Sequence, residues 1–301
     1  MLLAILCSAS IALIFKHSES SGMNRYAVTT FNYATAVIIS AAIIIGRGFD
    51  NLRLSMDDAV RAELLAALSE GRTVTTSEAG LLWAVIVGSC AGIVFFLAFI
   101  YYQISVRRYG AGMSGAFAKL GILVPMSLSL VLWREYPTTI QWLGMALAVG
   151  SIVLANRPGR GRIIPSIRVA LLLLFLFGGL AEFSNKVFQN HGLQEQKAFF
   201  LLSVFAVALI LSATTVLVRR QAVQRRDILT GVAVGIPNLF SSYFLILALD
   251  SFPATVAFPI FGAGTVLVIN AVGISLFGER LSTNEKAAIV LTIAALILIN
   301  L

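Results

Sequence analysis

Apolar residues in this chain come in long continuous runs, separated by short polar stretches. A helix needs about 20 mostly apolar residues to cross a bilayer, at roughly 1.5 Å per residue. Ten runs meet or approach that length: 1–16, 26–46, 80–104, 110–133, 139–156, 167–188, 198–218, 228–249, 253–277 and 284–301. They are unbroken, where the strands of a transmembrane barrel would alternate between apolar and polar. The expected fold class is an all-α integral membrane protein with ten transmembrane helices. The first run has no basic residues before it, and Lys16-His17 follows it, so it reads as a short span and not as a signal peptide.

One connection is long. Residues 47–79 open with Ser55-Met56-Asp57-Asp58, a start resembling a capping box, and Gly71 is a natural stop. Met56, Val60, Leu64 and Leu68 recur at helical spacing between them. A short amphipathic helix is expected, lying on the membrane or against the bundle.

A short pattern occurs twice. Trp133-Arg134-Glu135-Tyr136-Pro137-Thr138 and Phe277-Gly278-Glu279-Arg280-Leu281-Ser282 each join two apolar runs, 144 residues apart. At that offset Glu135 falls on Glu279, Thr139 on Thr283 and Asn156 on Asn300 without a gap. This register suggests a duplication. Five runs precede the linker Arg157-Pro158-Gly159-Arg160-Gly161-Arg162 and five follow it. Five is odd, so two similarly folded halves must lie upside down relative to each other. Residues 1–157, with the extramembrane loop 47–79, and 162–301 are then two inverted five-helix repeats. That arrangement is typical of secondary transporters, with the site near the midplane between the halves.

Composition supports lipid as the solvent. Hydrophobic residues make up 58% and charged residues 12%, against roughly 25% charged in soluble domains. Cys7 and Cys90 lie inside apolar runs and read as small buried hydrophobes. The formal net charge of +8 is mostly arginine between runs. It fits an anionic membrane surface, and no basic stripe suits nucleic acid. The basic residues cluster after the odd-numbered runs, which by the positive-inside rule puts both termini outside.

A charge at the centre of a span costs about 2.5–3.5 kcal/mol, so the few present are the first functional candidates. Glu182 is the carboxylate well inside a run, with Asn185 and Lys186 within one turn, and Lys119 sits at mid-depth in run four. Facing a polar cavity, they would bind substrate or couple protons. Facing each other, they would be a structural ion pair. Asn238 and Tyr243, after Gly235-Ile236-Pro237, are further candidates, as are Ser241, Ser8, Ser10, Asn32, Tyr33, Tyr101, Tyr102 and Gln103. Tyr101 to Gln103 also suit an interfacial aromatic belt. Pro125, Pro237 and Pro259 would kink their helices. His17 and His191 lie at span ends with no metal-ligand neighbour. No metal or other cofactor is expected.

Gly278-Glu279-Arg280-Leu281 before the last span, with ten spans in two halves, resembles the drug/metabolite transporter superfamily, in its EamA-like branch. The first copy keeps only Glu135 and the turn after it. The resemblance implies a ten-helix permease of small organic solutes, often an exporter, in the bacterial inner membrane with cytoplasmic termini. Leu180-Ala181-Glu182 is also similar to the first-helix motif of small multidrug resistance proteins, while Ala4-Ile5-Leu6-Cys7-Ser8 has Ser8 where the acid would stand. This second likeness implies Glu182 as coupling residue. The expected partners are the lipid bilayer, a small-molecule substrate such as an amino acid or drug, and protons as coupling ion. The rival classes are a channel or sensory membrane protein and, further off, an intramembrane enzyme. No Gly-x-Ser-x-Gly with a membrane histidine, aspartate pair within spans or His-Glu-x-x-His is present.

Overall fold

The computed structural model describes residues 1–47, 56–132, 138–155, 168–220, 222–251, 254–278 and 281–299. The repeated junction, with Glu135, Glu279 and Arg280, lies outside the described residues, as do Ser55 and the linker 157–162. Tyr243 is described as backbone only.

Each expected span is helical where described. In chain order the helices are α1 (Leu2–Ser20), α2 (Arg25–Arg47), α3 (Asp58–Glu70), α4 (Ser77–Leu120), α5 (Leu123–Leu132), α6 (Thr139–Ala155), α7 (Val169–His191), α8 (Lys197–Val218), α9 (Arg225–Ser251), α10 (Ala254–Phe277) and α11 (Thr283–Ile299). Among the described residues, five stretches are long and apolar enough to cross a membrane: Leu2–Ser20, Arg25–Gly46, Ser77–Pro125, Val169–His191 and Gln194–Val218. Large apolar side chains such as Ile38, Val131, Leu143, Ile210, Leu217 and Leu276 are exposed. In water they would be a liability, and in a bilayer they are the lipid contact. The chain is an all-helical integral membrane protein.

Spans three and four differ from the expected pair of separate helices. They continue through α4, turning at Gly110, whose φ of 85° and ψ of 167° are non-helical. Only glycine takes that backbone without strain, so the chain reverses there without a loop. Span four then breaks at Gly121-Ile122, where α4 gives way to α5. Pro125 explains the break. It has no N–H to donate, and its ring crowds the carbonyl four residues back.

α3 packs against the bundle. Val60, Leu64 and Ala67 are buried with Trp83 and Phe188 in one apolar cluster. Met56 and Leu68 are each 65% exposed, contrary to the stripe read from spacing. Met56 precedes the first helical residue, and Leu68 sits about 100° further round than Ala67. The start Asp57 makes no side-chain cap bond, so the capping box is not formed, whereas Gly71 ends the helix in the left-handed region as expected. Glu63 ties α3 to the next helix. Its carboxylate accepts from the Thr75 N–H, from Thr75 Oγ1 at 2.8 Å, from the Thr76 N–H at 3.0 Å and from Thr76 Oγ1 at 2.6 Å. Partial burial alone would raise its pKa, but these four bonds outweigh it and hold the group down at about 2.

Glycines set the closest helix contacts. A β-carbon on Gly88 would lie 2.7 Å from the Phe200 carbonyl oxygen and 2.9 Å from Ser203, and one on Gly92 would lie 2.6 Å from the Val204 oxygen and 2.7 Å from Val207. On α9, Gly231 meets Phe31 and the Val28 oxygen at 2.5 and 2.7 Å, and Gly235 meets Thr35 and the Asn32 oxygen at 2.6 and 2.7 Å. These are small-residue seams that let backbones touch. Both ladders ascend together, so α4 up to Gly110 runs parallel to α8, and α9 runs parallel to α2. Elsewhere α1 packs on α4, α9 and α10, α7 on α4 and α5, and α6 on α11.

Candidate functional site

Two constellations of polar residues lie within the spans. The first surrounds Lys119. Its Nζ stands 4.0 Å above the Phe261 ring of α10, a cation–π contact that an apolar setting strengthens. The charge of Glu182 on α7 reaches the same ammonium. The helices that bring them together cross at two glycines. A β-carbon on Gly179 would sit 2.5 Å from the Gly121 carbonyl oxygen, so α7 and the α4–α5 break are in backbone contact, with Lys119 and Glu182 just beyond the crossing. Glu182 is exposed and accepts a 3.4 Å hydrogen bond from Asn185 Nδ2. Lys186 is half-buried one turn on. Thus Lys119, Glu182, Asn185 and Lys186 are gathered as the sequence suggested. Phe261 was missed, because a phenylalanine in an apolar run carries no signal of its own.

The second constellation joins α2, α4 and α9. Asn238 Nδ2 donates to Asn32 Oδ1 at 3.1 Å, and Gln103 Nε2 donates to Thr29 Oγ1 at 2.6 Å and to the Phe99 carbonyl at 3.3 Å. Thr29 and Asn32 are one turn apart on α2, so both amides meet one helix face. Asn32 and Gln103 are fully buried, yet Asn32 Nδ2 and Gln103 Oε1 have no hydrogen-bond partner among the described residues. One spare donor and one spare acceptor are thus held in an apolar interior. Each such group costs about 1–3 kcal/mol unless something pairs with it. Asn32, Gln103 and Asn238 were candidates from sequence; Thr29, the residue that anchors Gln103, was not.

Other candidates have structural roles. Tyr33 donates to the Phe95 carbonyl at 2.9 Å. Tyr101 stacks on Phe177 at 5.5 Å between ring centroids, which is helix packing in place of an interfacial belt. Ser10 returns its hydroxyl to the Leu6 carbonyl, and Ser8 and Ser241 are buried. His191 is buried against Trp83, and its carbonyl accepts from the Val74 N–H at 2.9 Å. Both cysteines are free, and Cys90 is exposed, not buried as its apolar run suggested. An apolar run has a lipid-facing side, which spacing alone does not identify. No group of three or more His, Cys, Asp or Glu suited to a metal ion occurs among the described residues.

The fold and these mid-span polar groups define an integral membrane protein with a polar interior. Residues 197–293, from α8 into α11, match the family model described as Small Multidrug Resistance protein. Glu182 lies before this stretch. Over 302 residues the chain is 22% identical to a Haemophilus influenzae protein described only as uncharacterized, covering 98% of this chain and 95% of that protein. A solved crystal structure superposes with a TM-score of 0.52 at 14% identity, covering 98% of this chain and 95% of the other. That likeness concerns the fold alone.

Proposed function

We propose that the protein is a secondary transporter of small organic solutes, working by alternating access between two inverted five-helix halves. The observation that carries this reading is the meeting of Lys119, from the first half, with Phe261 and Glu182, from the second. A site shared by two halves is the place where their relative motion changes access.

The helix packing supports the inversion. Exchanging the first five spans for the last five turns the α4–α8 seam into the α9–α2 seam. Gly88 and Gly92 then fall on Gly231 and Gly235, each 143 residues on, and Phe200, Ser203, Val204 and Val207 fall on Val28, Phe31, Asn32 and Thr35, each 172 residues back. The parallel runs favour opposite orientation of the halves. The second span of the latter half lies parallel to the third span of the former, hence antiparallel to its second. The match of 197–293 to a small multidrug transporter family agrees with this class, as does the EamA-like resemblance of the junction.

Glu182 is exposed on an otherwise apolar helix, and exposure to lipid would be costly. Exposure to a polar space between the halves, opposite Lys119, is the cheaper alternative. A carboxylate and an ammonium flanking an aromatic ring suit a zwitterionic solute such as an amino acid. Glu182 is then the group that takes up and releases a proton as the solute binds. The membrane is the bacterial inner membrane, with the arginine-rich face turned to its anionic leaflet.

The test uses protein in liposomes containing a pH-sensitive dye, screened with amino acids, organic acids and cationic dyes. Solute-driven proton movement is expected in the wild type and should be absent in Glu182→Gln. If solute moves in Glu182→Gln with unchanged pH dependence, the assignment of Glu182 fails. If no solute in these classes moves at all, the transporter reading itself loses its support.

A further inference from the structure

We propose that the cavity between the α1–α2 turn and the start of α9 binds a phosphate-bearing anion, as an acidic phospholipid headgroup or a soluble phosphate ester. This cavity of about 400 Å³ is lined by Glu19, Arg25, Tyr26, Arg107, Arg226 and Asp227 among others. It is distinct from the site around Lys119, which lies roughly 13 Å along α4 beyond Gly110.

The two carboxylates in the cavity are already engaged. Glu19, with 2% of its side chain exposed, is held by both arms of Arg25, each at 2.7 Å. Asp227 accepts from the Asn24 N–H at 3.1 Å and the Gln224 N–H at 2.8 Å. A cationic ligand would find neither carboxylate open to it.

The guanidiniums are less fully used. Arg107 reaches Glu19 only at 3.9 Å, and 64% of its side chain is exposed. Arg226 is exposed and makes no ion pair with the described residues. Three arginines face two carboxylates in the lining, and α9 begins here with its positive dipole end. Arg108, Arg219, Arg220 and Arg225 are exposed close by in sequence, which extends the positive field. Paired N–H donors of arginine match the oxygens of a phosphate, and basic pockets at helix ends on this kind of surface take acidic headgroups.

The experiment follows thermal unfolding of the intact detergent-solubilised protein. Glycerol 1-phosphate and dihexanoyl phosphatidylglycerol are titrated against potassium chloride of equal ionic strength. The proteins are wild type, Arg107→Gln, Arg226→Gln and, as control away from the cavity, Arg61→Gln. A saturable rise in Tm of roughly 5 °C is expected from mass-action stabilisation. Its midpoint concentration should increase about tenfold in Arg107→Gln or Arg226→Gln and stay unchanged in Arg61→Gln. A rise with both probes identifies the phosphate itself as sufficient; a rise with the lipid alone identifies a headgroup site. No rise beyond chloride, or an undiminished rise in both cavity variants, overturns the proposal. Arg226 makes no ion pair with the described residues, so its variant tests binding even if Arg107→Gln disturbs the fold.

Discussion

Tyr33 and Phe205 face each other across the contact between α2 and α8, with ring centroids 6.2 Å apart and both side chains buried. They are 172 residues apart, the same offset that relates the residues under the two glycine seams. Equivalent residues touch each other only beside the axis that exchanges them, so this pair marks the proposed pseudo-two-fold. Both seams should then be equally intolerant of bulk. Gly92→Ile and Gly235→Ile are each expected to cost about 1–3 kcal/mol by overpacking. Gly150→Ile, at a position with nothing within 4 Å, should be neutral. Thermal unfolding in detergent checks this; a neutral Gly92→Ile beside a damaging Gly235→Ile would speak against equivalence.

Lys119 over Phe261 is the contact that joins the halves at the proposed site. Phe261→Leu keeps an apolar side chain of similar bulk but removes the ring face. A cation–π contact is worth about 0.5–2 kcal/mol, so substrate affinity is expected to fall roughly 2- to 30-fold with the fold intact. Lys119→Met should abolish transport of any solute with a carboxylate. Uptake kinetics in liposomes with equal protein incorporation would decide; unchanged KM in both variants places the solute elsewhere.

The buried amides make a separate prediction. Asn238→Leu strips Asn32 of its partner and leaves a fully buried amide unpaired, at a cost of about 1–3 kcal/mol. Removing both amides with Asn32→Leu and Asn238→Leu should cost less than the sum of the single changes, because the residues are in contact. Residues 172 further on from Thr29 and Asn32 are Leu201 and Val204, so this polar face has no counterpart in the second half. A double-mutant cycle on unfolding free energy measures the coupling; strict additivity would mean the two amides do not interact.

Much of this architecture was legible in the sequence, and the limits have physical causes. Continuous apolar runs located the helices because backbone polar groups in lipid must be satisfied within a helix. Mid-span charge identified Lys119 and Glu182 because charge there is costly. The turn at Gly110 and the break before Pro125 were less visible. One glycine reads the same whether it bends a helix or packs against a neighbour, and Gly88 and Gly92 do the second. Which side of a span faces lipid was hidden too. Cys90 and Leu68 show this, since helical spacing gives a face but not its partner. Phe261 and Thr29 gain their roles only from the side chains opposite them, Lys119 and Gln103, which come from distant parts of the chain.

Glu63 lies outside the spans and gives a pH-dependent prediction. Its pKa is held at about 2, below its ordinary 4.5, by the bonds from Thr75 and Thr76. A depressed carboxylate stabilises the folded arrangement above its unfolded pKa. That contribution should be complete above about pH 5 and decline as pH falls from 4.5 towards 2. Glu63 is largely solvent-exposed, so the effect is local and modest. What it should loosen is the attachment of α3 to the first turn of α4, where Thr76 caps the helix by accepting from the Ala79 N–H. Hydrogen exchange over residues 58–79 is expected to quicken, after correction for intrinsic rates, between pH 5 and pH 3 in the wild type. In Glu63→Gln it should already be fast at pH 6 and change little with acid. Protection that falls equally in both proteins would assign the acid sensitivity to another group, with Glu70, at 2.8 Å from Arg72, the nearest alternative.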